Sequence, residues 1–529
     1  MFNNKSLFLL ITAIAFTAPC TIATVAGEPN VLVNAGFDKD LSGWTVEGDA
    51  AVDTAAPMAG AGSLRLGPGK SAVRQTYKVG GLRIVYFGAT VKTNMLGVMV
   101  RARVQCFDSR HHQVMDLTQN IDPQKNDEAG QKPGLYFKTH ALTASMVVSF
   151  EKTSKDHGLV FADSAELIDY DHDRVDHDPI CNIDQYMQPI WKGSTVYNET
   201  VLLESDSGKP AAGKLLFMPS EIISVQDYSL ATTYTKGRDY TVDGKTITAL
   251  PGAKMPMMKD TEYPTGDIAW YELEGKQIVV TYTHSDTWFG PIPEYVGDSL
   301  PRTMKKLRSH KLLTIAATGD SITLGNNTSG YMQIPPYMPT WLDLFTGQLK
   351  NIYGYDAIKS YNAALGGMTS QWGLDTAEKA VASLNPDLVI IAYGMNDFWS
   401  LSGDEFLKNI KGTIDVIRAR HPNVEFVLIS SMQYDPAYTK DGGYAGHMAS
   451  YVKALKSLKG SGVELLDMNA ISGALFAAKK PKDIIANPLH PNDFLARWYA
   501  QGLTAMLTEP SQTSAKIGVK GTTNTPKND

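Results

Sequence analysis

Hydrophobic positions change their rhythm twice along the chain. From about residue 30 to 170 they come in short alternating runs: Ser63–Leu66, Ser71–Tyr77, Ile84–Val91, Val98–Cys106, Ala144–Phe150 and Gly158–Leu167. Gly, Asp, Asn and Ser separate them. Alternation at period two with frequent turn residues predicts half-buried strands packed as a sandwich. From 190 to 305 the runs remain short and β-like: Thr195–Leu203, Lys214–Met218, Tyr240–Val242, Thr246–Ala249 and Gln277–Thr283. A turn pair, Asp243-Gly244, and proline-rich stretches at Pro251–Pro256 and Pro291–Pro301 punctuate them. Beyond Leu312 the pattern alternates between continuous apolar runs and longer helical periods. The strands expected there are Leu312–Ala317, Ile358–Ala363, Asp387–Tyr393, Glu425–Ser430 and Val463–Asp467. The helices expected are Pro339–Tyr353, Ser370–Ser383, Gly403–Ala419, Tyr444–Leu458 and Asn492–Leu507. Strand–helix alternation at this spacing predicts a parallel, doubly wound sheet with right-handed crossovers.

The ends follow different rules. Lys5, the apolar run Leu7–Phe16 broken only by Thr12, and Thr24-Val25-Ala26 predict a secretory signal peptide over 1–26. Pro19 before Cys20 fits a lipoprotein signal poorly. No further run of 18 apolar residues occurs, so the mature chain is expected to carry no integral membrane segment and to be secreted or periplasmic. The stretch 511–529, rich in Thr, Lys, Ser, Pro and Asn, reads as a disordered tail. The expected multidomain organisation is therefore a signal peptide, a β-sandwich over 27–170, a linker over 171–189, a β-rich accessory domain over 190–305, a strand–helix domain over 306–510 and the tail.

Composition adds exclusions. The formal net charge of -6 over 529 residues gives no broad basic field, which argues against a nucleic-acid partner. Cys106 and Cys181 are too few for a disulfide framework and read either as one pair or as two buried thiols. The run DYDHDRVDHD (Asp169–Asp178) starts like a calcium loop. Arg174 stands where the turn glycine belongs and Ile180 where the bidentate Glu belongs, so a solvated linker is the better reading. No cofactor or metal is expected.

Four short blocks carry chemistry. Leu312–Gly325 (LLTIAATGDSITLG) is an apolar run ending in Gly319-Asp320-Ser321, which places Ser321 just past a strand end. In open α/β sheets that edge is where ligands bind. Alone, the tripeptide is an ordinary turn with a capping serine. Tyr361–Ser370 (YNAALGGMTS), Leu388–Asp397 (LVIIAYGMND) and Asn487–Asp493 (NPLHPND) add a backbone N–H at glycine, a side-chain amide and an imidazole. Nucleophile, base and oxyanion donors are the parts acyl transfer needs.

The order Ser321, Gly367, Asn396, His490 resembles the SGNH (GDSL-like) hydrolases, over about the last 200 residues of the ordered chain. That resemblance implies a three-layer α/β/α domain with a five-stranded parallel sheet. It implies Ser321 as nucleophile, His490 as base, and an oxyanion hole from Ser321 N–H, Gly367 N–H and the Asn396 amide. Gly367 is preferred over Gly366 because it lies five residues after Asn362. No G-x-S-x-G elbow occurs. Asp320 and Asp397 read as turn aspartates bonding local backbone. The chain departs from the family where an acid belongs three residues before His490, for Asn487 stands there. Asn487 can orient the ring as a neutral acceptor, a backbone carbonyl can do so, or Asp483 or Asp467 can supply the carboxylate.

The stretches NAGFDKDLSGWTVEG (Asn34–Gly48) and GLVFADSAELID (Gly158–Asp169) resemble jelly-roll carbohydrate-binding modules, with Phe37 and Trp44 expected in the core. The leading expectation is a secreted serine esterase removing O-acyl, chiefly O-acetyl, groups from a polysaccharide or oligosaccharide. A lipase or small-ester esterase, with Tyr331–Met338 and Phe398–Leu401 as lid candidates, is the first alternative. A non-catalytic carbohydrate-binding protein is the second.

Overall fold

The computed structural model describes residues 29–122, 130–205, 208–259, 262, 271–273, 275–438 and 444–509. The expected signal peptide and tail lie outside the described residues. The chain divides into two compact units, one ending at Asp176 and the other starting at His177.

The first unit is a sandwich of two antiparallel five-stranded sheets. One holds β1 (Thr45–Glu47), β4 (Ser71–Tyr77), β9 (Ser145–Lys152), β6 (Val100–Phe107) and β7 (Gln113–Asn120), in that order. The other holds β2 (Ala50–Asp53), β3 (Ser63–Leu66), β10 (Val160–Asp169), β5 (Ile84–Thr93) and β8 (Gly134–Lys138). The period-two pattern explains the faces: in β6 the apolar Val100, Ala102, Val104 and Cys106 are buried and the residues between them are half-buried. Phe37 and Trp44 are in the core, with ring centroids 5.3 Å apart and Phe150 6.3 Å from Trp44. The acidic run is engaged by protein groups at its start. Asp169 receives Arg83 Nε at 3.1 Å, and Asp171 receives the Ile84 N–H at 2.8 Å.

The second unit opens with the region 190–305. It forms a three-stranded antiparallel sheet, β11 (Thr195–Val201), β18 (Ile278–His284) and β14 (Pro219–Asp227), in that order. Beside it lies a small mixed sheet of β15 (Tyr240–Asp243), β16 (Thr246–Ala249), β13 (Ala212–Lys214), β12 (Glu204–Ser205) and β17 (Met258–Lys259).

The same unit contains the expected five-stranded parallel sheet, with β20 (Ile358–Asn362), β19 (Leu313–Gly319), β21 (Leu388–Ala392), β22 (Glu425–Ile429) and β23 (Val463–Leu466) in that order. Its central strands β19, β21 and β22 are buried along almost their whole length, as a sheet covered on both faces requires, while the edge strand β20 is buried only at Ile358. In this order the chain reverses direction between β19 and β21, so their C-terminal ends form a natural crevice. Five of its helices were legible in advance. The expected helix Ser370–Ser383 is regular only over Ser370–Thr376, then widens into a π-helical turn over Ala377–Val381 and tightens into a 3₁₀ turn over Ala382–Leu384. Helices at Pro301–Arg308 and Met468–Ala478 were not foreseen. The first hides behind a proline that reads as linker but serves at the first helical turn.

The buried residues of region 190–305 are continuous with those of the parallel-sheet domain. Trp191, Tyr282 and Trp288 share one core with Trp341 and Trp498, and the Trp288 and Trp498 rings are 5.1 Å apart. Cys106 and Cys181 are both buried free thiols, and burial pushes each up to about 12.

Candidate active site

The turn that carries Ser321 is built by its glycine and its aspartate. A Cβ at Gly319 would lie 2.1 Å from Thr323 Oγ1 and 2.3 Å from the Ala392 carbonyl, so only glycine lets β19 end against β21. Asp320 then caps the single helical turn Ser321–Leu324, its Oδ1 accepting the Ile322 N–H at 3.0 Å. Burial pushes the Asp320 carboxyl up to about 7. The back of the turn is pinned by Trp341 Nε1 on the Ile322 carbonyl at 2.9 Å and Asn362 Nδ2 on the Thr323 carbonyl at 2.8 Å.

His490 reaches this turn from the loop before the last helix, Asp493–Leu507. Its Nε2 lies 2.7 Å from Ser321 Oγ and its Nδ1 2.9 Å from Asn487 Oδ1. Asn487 Oδ1 also accepts the backbone N–H groups of Leu489 and His490, both at 3.1 Å. Asn487 Nδ2 donates to Asn327 Oδ1 at 3.1 Å and to Glu272 Oε2 at 3.3 Å. Donors surround its oxygen and acceptors its nitrogen, so the amide has one sensible orientation. The His490 proton then belongs on Nδ1, and the Nε2 lone pair faces the serine hydroxyl. Burial holds the imidazole down at about 4, so it is neutral and competent as a base through the ordinary pH range.

Of the three orienters considered, the amide is the one in place. Asp467 instead caps helix Met468–Ala478 and pairs with Lys456 Nζ at 2.9 Å. Asp483 receives the Leu202 N–H at 2.8 Å.

The expected oxyanion donors Gly367 and Asn396 lie on two neighbouring loops. Gly367 has φ +78°, and nothing lies within 4 Å of a Cβ built on it. Glycine is therefore demanded there by backbone conformation rather than by crowding. A Cβ on Gly366 would lie 3.8 Å from Ser321 Cβ, which places this loop against the nucleophile. Asn396 follows β21, and its Nδ2 donates to the Met368 carbonyl at 2.9 Å. Asp397 ties the same loops together by accepting the Ser370 N–H at 2.8 Å, and burial pushes its carboxyl up to about 6. Neutral donors and an imidazole around a nearly covered serine can bind a developing oxyanion and shuttle one proton. The lid candidates contribute no open apolar flap at their ends. Met338 and Phe398 are fully buried, and Phe398 stacks on Tyr434 at 5.3 Å.

The support for the histidine loop went unread in the sequence. Leu273 N–H donates to the Ala486 carbonyl at 2.7 Å. Gln277 Nε2 donates to the carbonyls of Lys482 at 2.7 Å and Ile485 at 3.0 Å, while its Oε1 accepts Asn492 Nδ2 at 2.9 Å. Asn492 Nδ2 also meets Thr200 Oγ1 at 2.9 Å, and Lys479 pairs with Glu199 with both side chains fully buried. These partners carry no motif. Asn327 alone had a local signal, since it lies two residues beyond the Leu312–Gly325 block.

Residues 317–497 match the GDSL-like Lipase/Acylhydrolase family. Among solved structures, the chain is similar to an acetyl xylan esterase, AlAXEase, at 20% identity over 36% of this chain and 98% of that chain, with a TM-score of 0.30. It is similar to a two-domain esterase (CEX) active on acetylated mannans at 20% identity, over 45% of this chain and 59% of that one, with a TM-score of 0.35. The enzymatically active domain of bacteriophage CBA120 tailspike protein 4 aligns at 18% identity over 26% of this chain, with a TM-score of 0.23. Only 21% of the tailspike chain is spanned. No curated protein matches the chain.

Proposed function

We propose that this chain, a carboxylic ester hydrolase with a GDSL-like acylhydrolase domain at residues 317–497, is an exported serine esterase that removes O-acetyl groups from a polysaccharide or oligosaccharide. The observation that carries the mechanism is the bonded series Asn487–His490–Ser321, with contacts of 2.9 and 2.7 Å. In this reading His490 Nε2 takes the Ser321 proton as Oγ attacks the ester carbonyl. The Ser321 and Gly367 N–H groups and the Asn396 amide receive the oxyanion. The protonated ring then gives its proton to the leaving sugar hydroxyl, and water repeats the sequence to release acetate.

The acyl preference is supported by enclosure. Ser321 and His490 are each 6% exposed, which suits an acyl group as small as acetyl. The carbohydrate preference is supported by the sandwich at residues 45–169, whose opening and closing stretches resemble jelly-roll sugar-binding modules. The test is acetate release from a panel of acetylated polysaccharides, with Ser321→Ala as control. Wild type is expected to release acetate from at least one of them and the variant from none. Hydrolysis of p-nitrophenyl acetate without release from any polysaccharide would refute the substrate assignment. Release by the folded Ser321→Ala variant would refute the nucleophile.

A further inference from the structure

We propose that Glu272, from the region preceding the acylhydrolase domain, is the remote carboxylate of this site, acting on His490 through the Asn487 amide. Asn487 stands between them as a bridge. Its Nδ2–H donates to Glu272 Oε2 at 3.3 Å, and its Oδ1 accepts from His490 Nδ1 at 2.9 Å. Donation to an anion draws electron density through the conjugated amide onto Oδ1, and each bond in such a series strengthens the next. An amide alone supplies geometry. An amide backed by a carboxylate supplies part of the charge that an acid three residues before the histidine would give.

The placement of Glu272 is built on both sides. Before it, Tyr271 OH bonds Asp435, whose N–H donates to the Pro488 carbonyl at 2.9 Å. After it, the Leu273 N–H holds the Ala486 carbonyl at 2.7 Å. Tyr271 and Leu273 are buried. The three-residue segment is thus laced to residues 486 and 488, the two positions flanking Asn487. Asn327 Oδ1 takes a second contact from the same amide nitrogen at 3.1 Å and fixes its plane. Glu272 touches the amide and acts on His490 through it; it is a positioning residue that works on the imidazolium formed during the reaction.

This inference rests on the Ser321–His490 reading, and the experiment separates the two. Steady-state kinetics on p-nitrophenyl acetate at pH 7 would compare wild type with S321A, E272Q, N487D and N487D/E272Q, each checked for an unchanged melting temperature. Inactive S321A keeps the serine reading standing. E272Q retains the shape and removes the charge, so kcat should fall by about 5–20-fold with KM unchanged, the size of a weakened bond to a charged group. N487D removes both Nδ2 donations and sets a second carboxylate against Glu272, so it should also lose activity. N487D/E272Q moves the carboxylate one position inward and lets the new amide donate back to it, so kcat should recover toward the wild-type value. Wild-type kcat in E272Q, or a double variant no more active than N487D, overturns the proposal while leaving the nucleophile assignment intact. A structural role for Glu272 alone would not produce that recovery.

Discussion

The parallel-sheet edge and the β-rich region before it contribute to the same site by opposite means. The edge carries the groups to which the proposed mechanism assigns the reaction: Ser321 after β19, Asn396 after β21, and the Gly366–Gly367 loop after β20. Their positions follow from strand order, because a doubly wound sheet opens its crevice where β19 meets β21. The β-rich region supplies restraint. Glu199, Thr200, Leu202, Glu272, Leu273 and Gln277 hold the segment from Lys479 to Asn492 that carries His490. Chemistry is carried by residues whose type is dictated by the reaction. Restraint is carried by residues whose type is dictated only by which backbone group needs a partner.

That contrast predicts different failures. The largest effect is expected in the restraint, at the buried pair Lys479–Glu199. Glu199 also accepts the Tyr282 hydroxyl at 2.5 Å and the Leu216 N–H at 2.8 Å, so it is tied to three elements. Lys479→Met leaves a carboxylate buried without its cation and should cost about 3–5 kcal/mol of stability. Urea melts of the variant, followed by a rate measurement on the remaining folded fraction, would check this. A melt unchanged from wild type would show that the histidine loop does not need this pair.

The next effect belongs to the sheet edge. Asn396→Ala removes one oxyanion donor and should lower kcat by about 10²–10³ with KM and stability little changed. A loss confined to KM would turn Asn396 into a substrate-binding residue. A loss of stability comparable with that of Lys479→Met would erase the division of labour between the two regions.

The sequence made one side of this division legible and left the other dark, for a physical reason. The central strands β19, β21 and β22 are buried, largely apolar runs, and the blocks that follow β19 and β21 combine Gly, Asp and Asn in ways few structural turns require. Ser321, Gly367, Asn396 and His490 were all named as candidates from the chain alone, and the structure brings His490 to within 2.7 Å of Ser321. Asn487 was visible as a departure, but its three possible replacements could be ordered only by distance. Gln277 opens an expected strand and Glu272 lies just before it in a stretch without a motif, and contacts 215 and 205 residues apart in sequence leave no period to detect. The helix Pro301–Arg308 was missed because proline marks both linkers and first helical turns, and only packing of Met304 and Leu307 decides between them.

The smallest expected effect is the most diagnostic, because it reads the electrostatic balance at His490 directly. Burial lowers this imidazole from an ordinary value near 6.5 to about 4. The base works in its neutral form, so kcat/KM should rise with pH around a midpoint near 4 and stay flat from about pH 5 upward. Stability carries its own sign. The unfolded chain protonates this histidine first, so the His490 contribution to stability is lost as pH falls from about 6.5 toward 4. Buried carboxyls act in the opposite direction. Asp320, raised to about 7, and Asp397, Asp483 and Asp493, each raised to about 6, keep their protons in the fold. Their contribution is full below about 3.8 and is lost as pH rises through 6 to 7. The two trends oppose one another between pH 4 and 6.5, but four carboxyls outweigh one imidazole, so urea-melt stability should fall as pH rises there, by less than the carboxyls alone would give. Above about pH 6 only Asp320 still holds its proton in the fold, so the fall should continue more shallowly to about pH 7. Acetate-release rates and urea melts at matched pH values would read both. An activity midpoint near 6.5 would mean that a charge at Glu272 or elsewhere compensates the desolvation of His490 in full. In that case the site would behave as a complete triad, and the amide at Asn487 would cost it nothing.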